Sequence, residues 1–283
     1  MRVLVTGAHG LLGAAIAREF ADSEVRALGH RELDVADESA VDAAVAATRP
    51  DLIINCAAYN DVDGAQRDAE LALRINALGV LTLARAARRV DCILVHYSTD
   101  FVFDGESSRP YTEEDAPNPR GVYAASKLVG EWFAREAPRG YVLRVESLFG
   151  HPGSMGARRG SLGTIVDGIL AGAEVPVFVD RTVSPTYTYD LAQATRSIIE
   201  RALAPGIYHC VNAGTASWLE IAQETARRLN RQLQAKPLTL DTANLKAPRP
   251  RYCALSPEKL GSAGIVMPSW QDALSRYLSL VAG

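Results

Sequence analysis

Along the first half of the chain, short apolar runs alternate with longer stretches whose apolar residues recur every three or four positions. Arg2–Thr6, Glu24–Leu28, Leu52–Cys56, Cys92–Tyr97 and Tyr141–Val145 read as strands, being short and punctuated by turn-forming residues. Between them, Leu11–Ala21, Glu38–Ala47, a long segment from Asp68 to Arg89, and Val122–Ala137 carry helical spacing. Runs such as LIIN and CILV are apolar at every position, as expected of strands covered on both faces. The alternation predicts an α/β fold in which helices cover both sides of a doubly wound parallel sheet.

After Gly150 the texture changes. His151–Gly163 is rich in glycine and basic residues and reads as a mobile loop. Helical patterns follow at Leu162–Ala171, Asp190–Leu203 and Trp218–Leu229, with short strands at Val175–Val179 and Ile207–Val211 and a proline-rich stretch at Ala247–Arg251. The expected organisation is a dinucleotide-binding domain over residues 1–150. Residues 151–283 then form a smaller, mainly substrate-binding region, with some segments returning to the first domain. A chain of 283 residues is long enough for this arrangement.

Charge and composition narrow the function. A net charge of −3 offers no basic stripe for nucleic acid or an anionic membrane. No apolar run approaches the roughly 18 residues of a spanning helix, and the chain enters a strand at once, with no secretion signal. A cytoplasmic location is expected. Cys56, Cys92, Cys210 and Cys253 are far apart and form no CxxC, so they read as buried, reduced thiols, and no residues are assigned to a metal.

The first strand runs into Thr6-Gly7-Ala8-His9-Gly10-Leu11-Leu12-Gly13. Glycines at 7, 10 and 13 suit a tight turn, close backbone approach to a pyrophosphate and close helix packing, in the strand-turn-helix context of a Rossmann dinucleotide site. His9, Leu11 and Leu12 belong to the same turn and helix start. At the end of the second strand, Gly29-His30-Arg31, no acid stands ready for a ribose 2′-hydroxyl. Arg31 could grip a 2′-phosphate, which favours NADPH with NADH as the alternative. Asp34 and Val35 are placed at the adenine edge, and Ala57, Ala58 and Tyr59 follow the third strand, where ligands of parallel sheets bind.

The fourth strand finishes at Ser98-Thr99-Asp100, and Tyr123 and Lys127 lie four residues apart on one helical face. An ammonium beside a phenol lowers its pKa from about 10, making Tyr123 a proton donor to an alkoxide formed by hydride addition. Thr99 would orient the carbonyl oxygen. Such a pair also arises by chance, so its place after the glycine turn and the Thr99 strand end carries the argument.

These residues resemble the dTDP-4-dehydrorhamnose reductase family of the extended short-chain dehydrogenase/reductases. The resemblance runs through GAHGLLG, RELDVAD, NCAAYNDVDGAQ, RINALGVLTLARAA, STDFVFDG, GVYAASKLVGE, SPTYTYDLA, GIYHCVNAGTASWLEIA and APRPRYCALSPEKL, in that order. It implies Thr99, Tyr123 and Lys127 as the catalytic trio, with Gly7, Gly10, Arg31, Ala57 and Ala58 at the cofactor. It also implies a nucleotide-sugar substrate, dTDP-4-dehydro-L-rhamnose first among them, and a homodimer is the assembly to test. Asp100 and Phe101 in STDFVFDG and Arg249 in the proline-rich stretch are placed with the substrate. Arg158 and Arg159 are weaker candidates for its diphosphate.

One segment departs from the family. Where rhamnose-forming members usually read Thr-Ser-Trp after the arginine, this chain reads Val145-Glu146-Ser147, losing an apolar platform and adding a carboxylate. Glu146 and Ser147 therefore bear on which sugar is bound. Two other readings stay open: a nucleotide-sugar epimerase or dehydratase of the same superfamily, and a non-catalytic NADP-binding regulatory subunit.

Overall fold

Five apolar runs of the first half become parallel strands: β1 (Arg2–Thr6), β2 (Glu24–Leu28), β3 (Leu52–Asn55), β4 (Ile93–Thr99) and β5 (Gly140–Val145). The computed structural model describes residues 1–151 and 160–281, so Arg158, Arg159 and most of the predicted 151–163 loop lie outside the described residues. A further strand, Gly206–His209, joins β5, giving the order Gly206–His209, β5, β4, β3, β1, β2. The chain steps outward from β1 to β2 and then crosses back to β3. This reversal between β1 and β3 makes the switch point at which open parallel sheets bind ligands.

The continuous apolar runs are explained by two cores. Val3, Val5, Leu52, Ile54, Val95 and Leu143 point to one face and pack with Ile16, Leu191 and Ile198. Their strand neighbours Leu4, Ile53, Leu94 and Val142 point to the other, against Val41, Val80 and Leu83. Successive side chains of a strand alternate faces, so burial of both faces demands apolar residues at every position.

Residues beyond 150 contribute to both parts of the molecule. Helix Thr188–Glu200 packs on helix Leu11–Glu19, and Gly206–His209 extends the main sheet. A separate cluster, including Phe149, Ile165, Val177, Trp218, Trp270 and Tyr277, holds helices Gly160–Leu170, Trp218–Arg228 and Trp270–Val281 together. Strand Gln234–Leu238 pairs with Glu174–Phe178 beside it. The four cysteines are unpaired, and among the described residues no helix is long and apolar enough to cross a membrane.

The long helix predicted from Asp68 to Arg89 forms as one helical run that carries a π-helical turn within it. Ala69–Leu73, capped by the Asp68 side chain, runs into a π-helical turn at Arg74–Leu78 before Gly79–Arg89. The fourth strand begins at Ile93 and extends through Thr99, which places Thr99 on the sheet rim.

A buried ion pair ties this rim together. Arg144 on β5 donates from Nε and Nη2 to both carboxylate oxygens of Glu131 at 2.9 and 2.8 Å, and Ser98 Oγ donates to the same carboxylate. His209 Nδ1 lies 3.0 Å from the Tyr111 carbonyl and so carries the ring proton, leaving Nε2 to face Arg144 Nη1 at 3.4 Å. Burial, and then the Arg144 charge, push the His209 pKa down to about 3. Because the folded value lies below the unfolded one, acidification protonates the unfolded chain first and stability is lost as pH falls. Relative to His209→Gln, the wild type should lose about 1.4 kcal/mol per pH unit between about pH 6 and about pH 4, read by urea unfolding.

Candidate active site

The carboxyl ends of β1, β3, β4 and β5 border a cavity of about 460 Å³. In the turn after β1, Gly7 adopts φ +64°, and a Cβ there would lie 2.6 Å from the Ala57 nitrogen. A Cβ on Gly13 would lie 2.3 Å from the Gly7 carbonyl oxygen, so helix Leu11–Glu19 sits directly on the turn. That helix starts after Gly10 with no side-chain cap. Its first N–H groups, at Leu11 and Leu12 on the cavity wall, have no intrahelical partner and form the positive end of the helix. Ala57 and Ala58 form the opposite wall with side chains no larger than a methyl. A cradle of backbone this close, with uncapped N–H groups, fits the pyrophosphate of a dinucleotide.

The tip of β2 differs from its sequence reading. Glu32 folds back and accepts the Gly29 N–H at 2.6 Å, with His9 Nε2 3.5 Å away. His9 lies over Gly29, where a Cβ would meet Nδ1 at 2.3 Å, and so packs on this turn outside the main cavity wall. An acid is therefore present at the tip, but its carboxylate is engaged by backbone. Arg31 is exposed beside it. The carboxylate of Asp34 pairs with Arg74 and accepts the Ala36 N–H. Val35 packs with its side chain in the core against Gly79, which corrects its expected place at a ligand edge.

Tyr59 stands next to the cavity, held by a residue whose role the sequence did not disclose. Asn76, fully buried in the π-helical turn, accepts the Tyr59 N–H at 2.8 Å and donates to the Tyr59 carbonyl and to Ser126 Oγ. One side chain thus links the loop after β3 to the helix that carries Tyr123 and Lys127. The signal was an asparagine inside an apolar helical pattern, RINALG.

Thr99, Tyr123 and Lys127 all line the cavity. Tyr123 packs edge-on against Phe101, with centroids 5.7 Å apart. Burial raises its pKa above the usual value, Asp100 raises it further, and a Thr99 hydrogen bond and the Arg249 charge oppose the rise. The expected lowering by Lys127 is not the governing effect here. Lys127 Nζ instead donates to the Tyr97 carbonyl at 2.6 Å, with His96 Nε2 at 3.4 Å. Burial lowers the Lys127 pKa to about 8, against the opposing charges of Glu131 and Cys56.

The far wall carries the substrate candidates. Thr99 Oγ1 donates to Asp100 Oδ1 at 2.9 Å, and Glu146 Oε2 accepts the Ser184 N–H at 2.7 Å. Ser147 has φ +45° at the bend after β5. Arg249 is paired with Asp63 at 3.2 Å, and its guanidinium lies 5.9 Å from the Phe101 ring centroid. Arg181, not singled out from the sequence, lies 5.7 Å from the same ring and donates to the Pro250 carbonyl and Cys253 Sγ. It is far from Thr99, Tyr123 and Lys127 along the chain, so local spacing could not reveal it. Asp100, Glu146 and Cys253 bring ligand-type atoms within 4.8 Å of one another, but the Arg181 guanidinium already supplies positive charge there, so the cluster is not read as a metal site.

A glycine turn and uncapped helix at the switch point, with Thr99, Tyr123 and Lys127 on the same rim, define a short-chain dehydrogenase/reductase type of site. The sequence matches the family described as RmlD substrate binding domain over residues 1–282, and the chain belongs to that family. It is 38% identical over 282 residues to the probable dTDP-4,6-dihydroxy-2-methyloxan-3-one 4-ketoreductase of Streptomyces antibioticus, covering 97% of this chain and 93% of that protein. Identity to the dTDP-4-dehydrorhamnose reductase of Streptomyces griseus is 36% over 293 residues, covering 100% and 94%. The solved dTDP-4-dehydrorhamnose reductase of Bacillus anthracis, in complex with NADP, matches with a TM-score of 0.91 at 33% identity, over 98% of each chain.

Asn76→Leu leaves the Tyr59 N–H and carbonyl without their partners. It should cost about 2–4 kcal/mol in urea unfolding, whereas a loss within experimental error would mean that the clasp does not hold the rim.

Proposed function

We propose that the protein reduces the 4-keto group of a dTDP-activated 6-deoxyhexose with NADPH, and that dTDP-4-dehydro-L-rhamnose is a substrate. The observation that carries this reading is the meeting of Thr99, Tyr123 and Lys127 on one cavity whose opposite end is the uncapped helix start. The names of the relatives agree with it, both those acting on dTDP-linked keto sugars and the NADP-bound neighbour. NADPH, when bound, supplies hydride to the carbonyl carbon.

The protein's own groups do the rest. Tyr123, with its pKa raised by burial, keeps its proton through neutral pH and gives it to the alkoxide oxygen. Thr99 orients that oxygen from the end of β4, and Lys127 brings positive charge to the rim from the next turn of the tyrosine's helix. Gly7, Gly10, Leu11 and Leu12 hold the pyrophosphate, between the turn and Ala57–Ala58. NADPH is favoured over NADH because Arg31 is exposed at the β2 tip while the nearby Glu32 carboxylate is occupied by Gly29 N–H. A second cavity of about 490 Å³ shares Ser161, Arg181 and Trp218 with the first and includes Ile165, Val177 and Phe178 in its wall. It offers room for the nucleotide beyond the sugar. A cytoplasmic location, a homodimeric assembly and a substrate-binding role for residues 151–283 remain parts of this proposal.

Steady-state NADPH oxidation with a panel of dTDP-4-keto-6-deoxy sugars tests the reading, and no turnover with any of them would sink it. Tyr123→Phe should lower kcat by about 10²–10⁴-fold, the usual worth of a positioned proton donor. NADPH affinity, followed by fluorescence, should remain close to wild type.

A further inference from the structure

Two buried carboxylates meet directly behind the catalytic threonine. Asp100 is 3% exposed and Glu146 2%. Each uses one oxygen conventionally: Asp100 Oδ1 accepts the Thr99 hydroxyl, and Glu146 Oε2 accepts Ser184 N–H. Each has a second oxygen, Asp100 Oδ2 and Glu146 Oε1, that is out of water and has no hydrogen-bond partner among the described residues. The two carboxyl groups approach within 4.8 Å. Two ionised carboxylates this close and this dry repel each other, and an orphaned charged oxygen is costly. One proton held by the pair removes one of the two charges and with it the repulsion.

We propose that the Asp100–Glu146 pair holds a single proton in place of two full charges, and that this keeps the region behind Thr99 electrically neutral while negative charge builds on the substrate oxygen. With one proton the carboxyl pair carries one negative charge, which the Arg181 guanidinium balances. With none, a net negative charge stands behind Thr99 and opposes the alkoxide. Glu146 thereby acts through Asp100 and Thr99 as a positioning residue. This role rests on the keto-reduction proposed above; the shared proton itself does not.

The surroundings are consistent with a retained proton. Burial raises the Asp100 pKa to about 6, against the lowering effects of Arg181, Thr99 and Cys253. Burial and then the Asp100 charge push Glu146 well above the usual carboxylate range, opposed by Ser184 N–H and Arg181. The other titratable or charged groups facing the pair are Tyr123 and Tyr252, with Arg249 beyond Tyr123. Cys253 is held as a thiol by burial.

Infrared spectroscopy of the ligand-free protein near pH 7 tests the proton directly. The wild-type minus Glu146→Gln difference should contain a protonated carboxyl band that shifts in D₂O. Glu146→Ser provides the same comparison if the glutamine variant folds poorly. No such band in either difference overturns the shared proton, whatever the substrate. The catalytic role is read from pH profiles of kcat/KM, where the alkaline limb should move up by about one pH unit or more in Glu146→Gln. An unmoved limb overturns that role. Absence of turnover with every dTDP-keto sugar would instead reject the functional reading and leave the infrared result standing.

Discussion

The rim where β1, β3, β4 and β5 end is nearly dry, and desolvation sets the ionisation of almost every group on it. Burial is the largest effect on Tyr123, Lys127, Asp100, Glu146 and His96, and in each case it disfavours the charged form. A tyrosine with a raised pKa is a reservoir of one proton, suited to giving it to an alkoxide more than to resting as a phenolate. A lysine brought down to about 8 still carries its charge for the most part at neutral pH. Withholding water therefore keeps the Tyr123 proton in place, and the partners of each group decide how far the effect goes.

Those partners form a connected layer beneath the site. Asn55 Oδ1 accepts from the Thr6 hydroxyl and the Ala57 N–H, so its Nδ2 must be the atom that faces His96 Nδ1 at 3.1 Å. His96 is neutral, because burial and then the Lys127 charge hold its pKa well below the usual value. With Nδ1 accepting, the ring proton sits on Nε2 and faces Lys127, whose ammonium then finds its acceptor in the Tyr97 carbonyl. A fixed amide orientation thus propagates through an imidazole tautomer to the lysine. On the other side of β4, Ser98, Glu131, Arg144 and His209 form a second buried network that joins β5 and Gly206–His209 to the tyrosine's helix. Strand ends fixed from both sides hold Thr99 and Asp100 on the cavity that Tyr123 also lines.

Much of this was legible in the sequence because the fold is built from local rules. Strands buried on both faces must be apolar throughout, so LIIN and CILV announced themselves, and the glycine turn is a local solution to a local close approach. What escaped depends on contacts made across the fold. The continuous helix was legible, but the π-helical turn inside it at Arg74–Leu78 was not, and the Asn76 that reaches Tyr59 lies in that turn. The Glu32 carboxylate reaches the β2 tip only because the turn at Gly29 folds it back, a contact that sequence position does not show. The direction of the Lys127 side chain was also invisible, since two residues on one helical face need not point at each other when a carbonyl below offers a better partner.

The departure at Val145-Glu146-Ser147 shows how a local sequence anomaly acquires meaning from its surroundings. On an exposed loop, a glutamate in this place would be a surface charge of little consequence. Here the bend at Ser147, with its positive φ, follows a side chain that β5 delivers into the interior, and Ser184 N–H fixes one of its oxygens. The remaining oxygen shares a dry pocket with Asp100, which holds the Thr99 hydroxyl. The carboxyl group at 146 therefore bears, through Asp100, on the electrostatics of the Thr99 hydroxyl. In the proposed reaction, substrate choice and proton chemistry are then coupled through these two adjacent carboxyl groups.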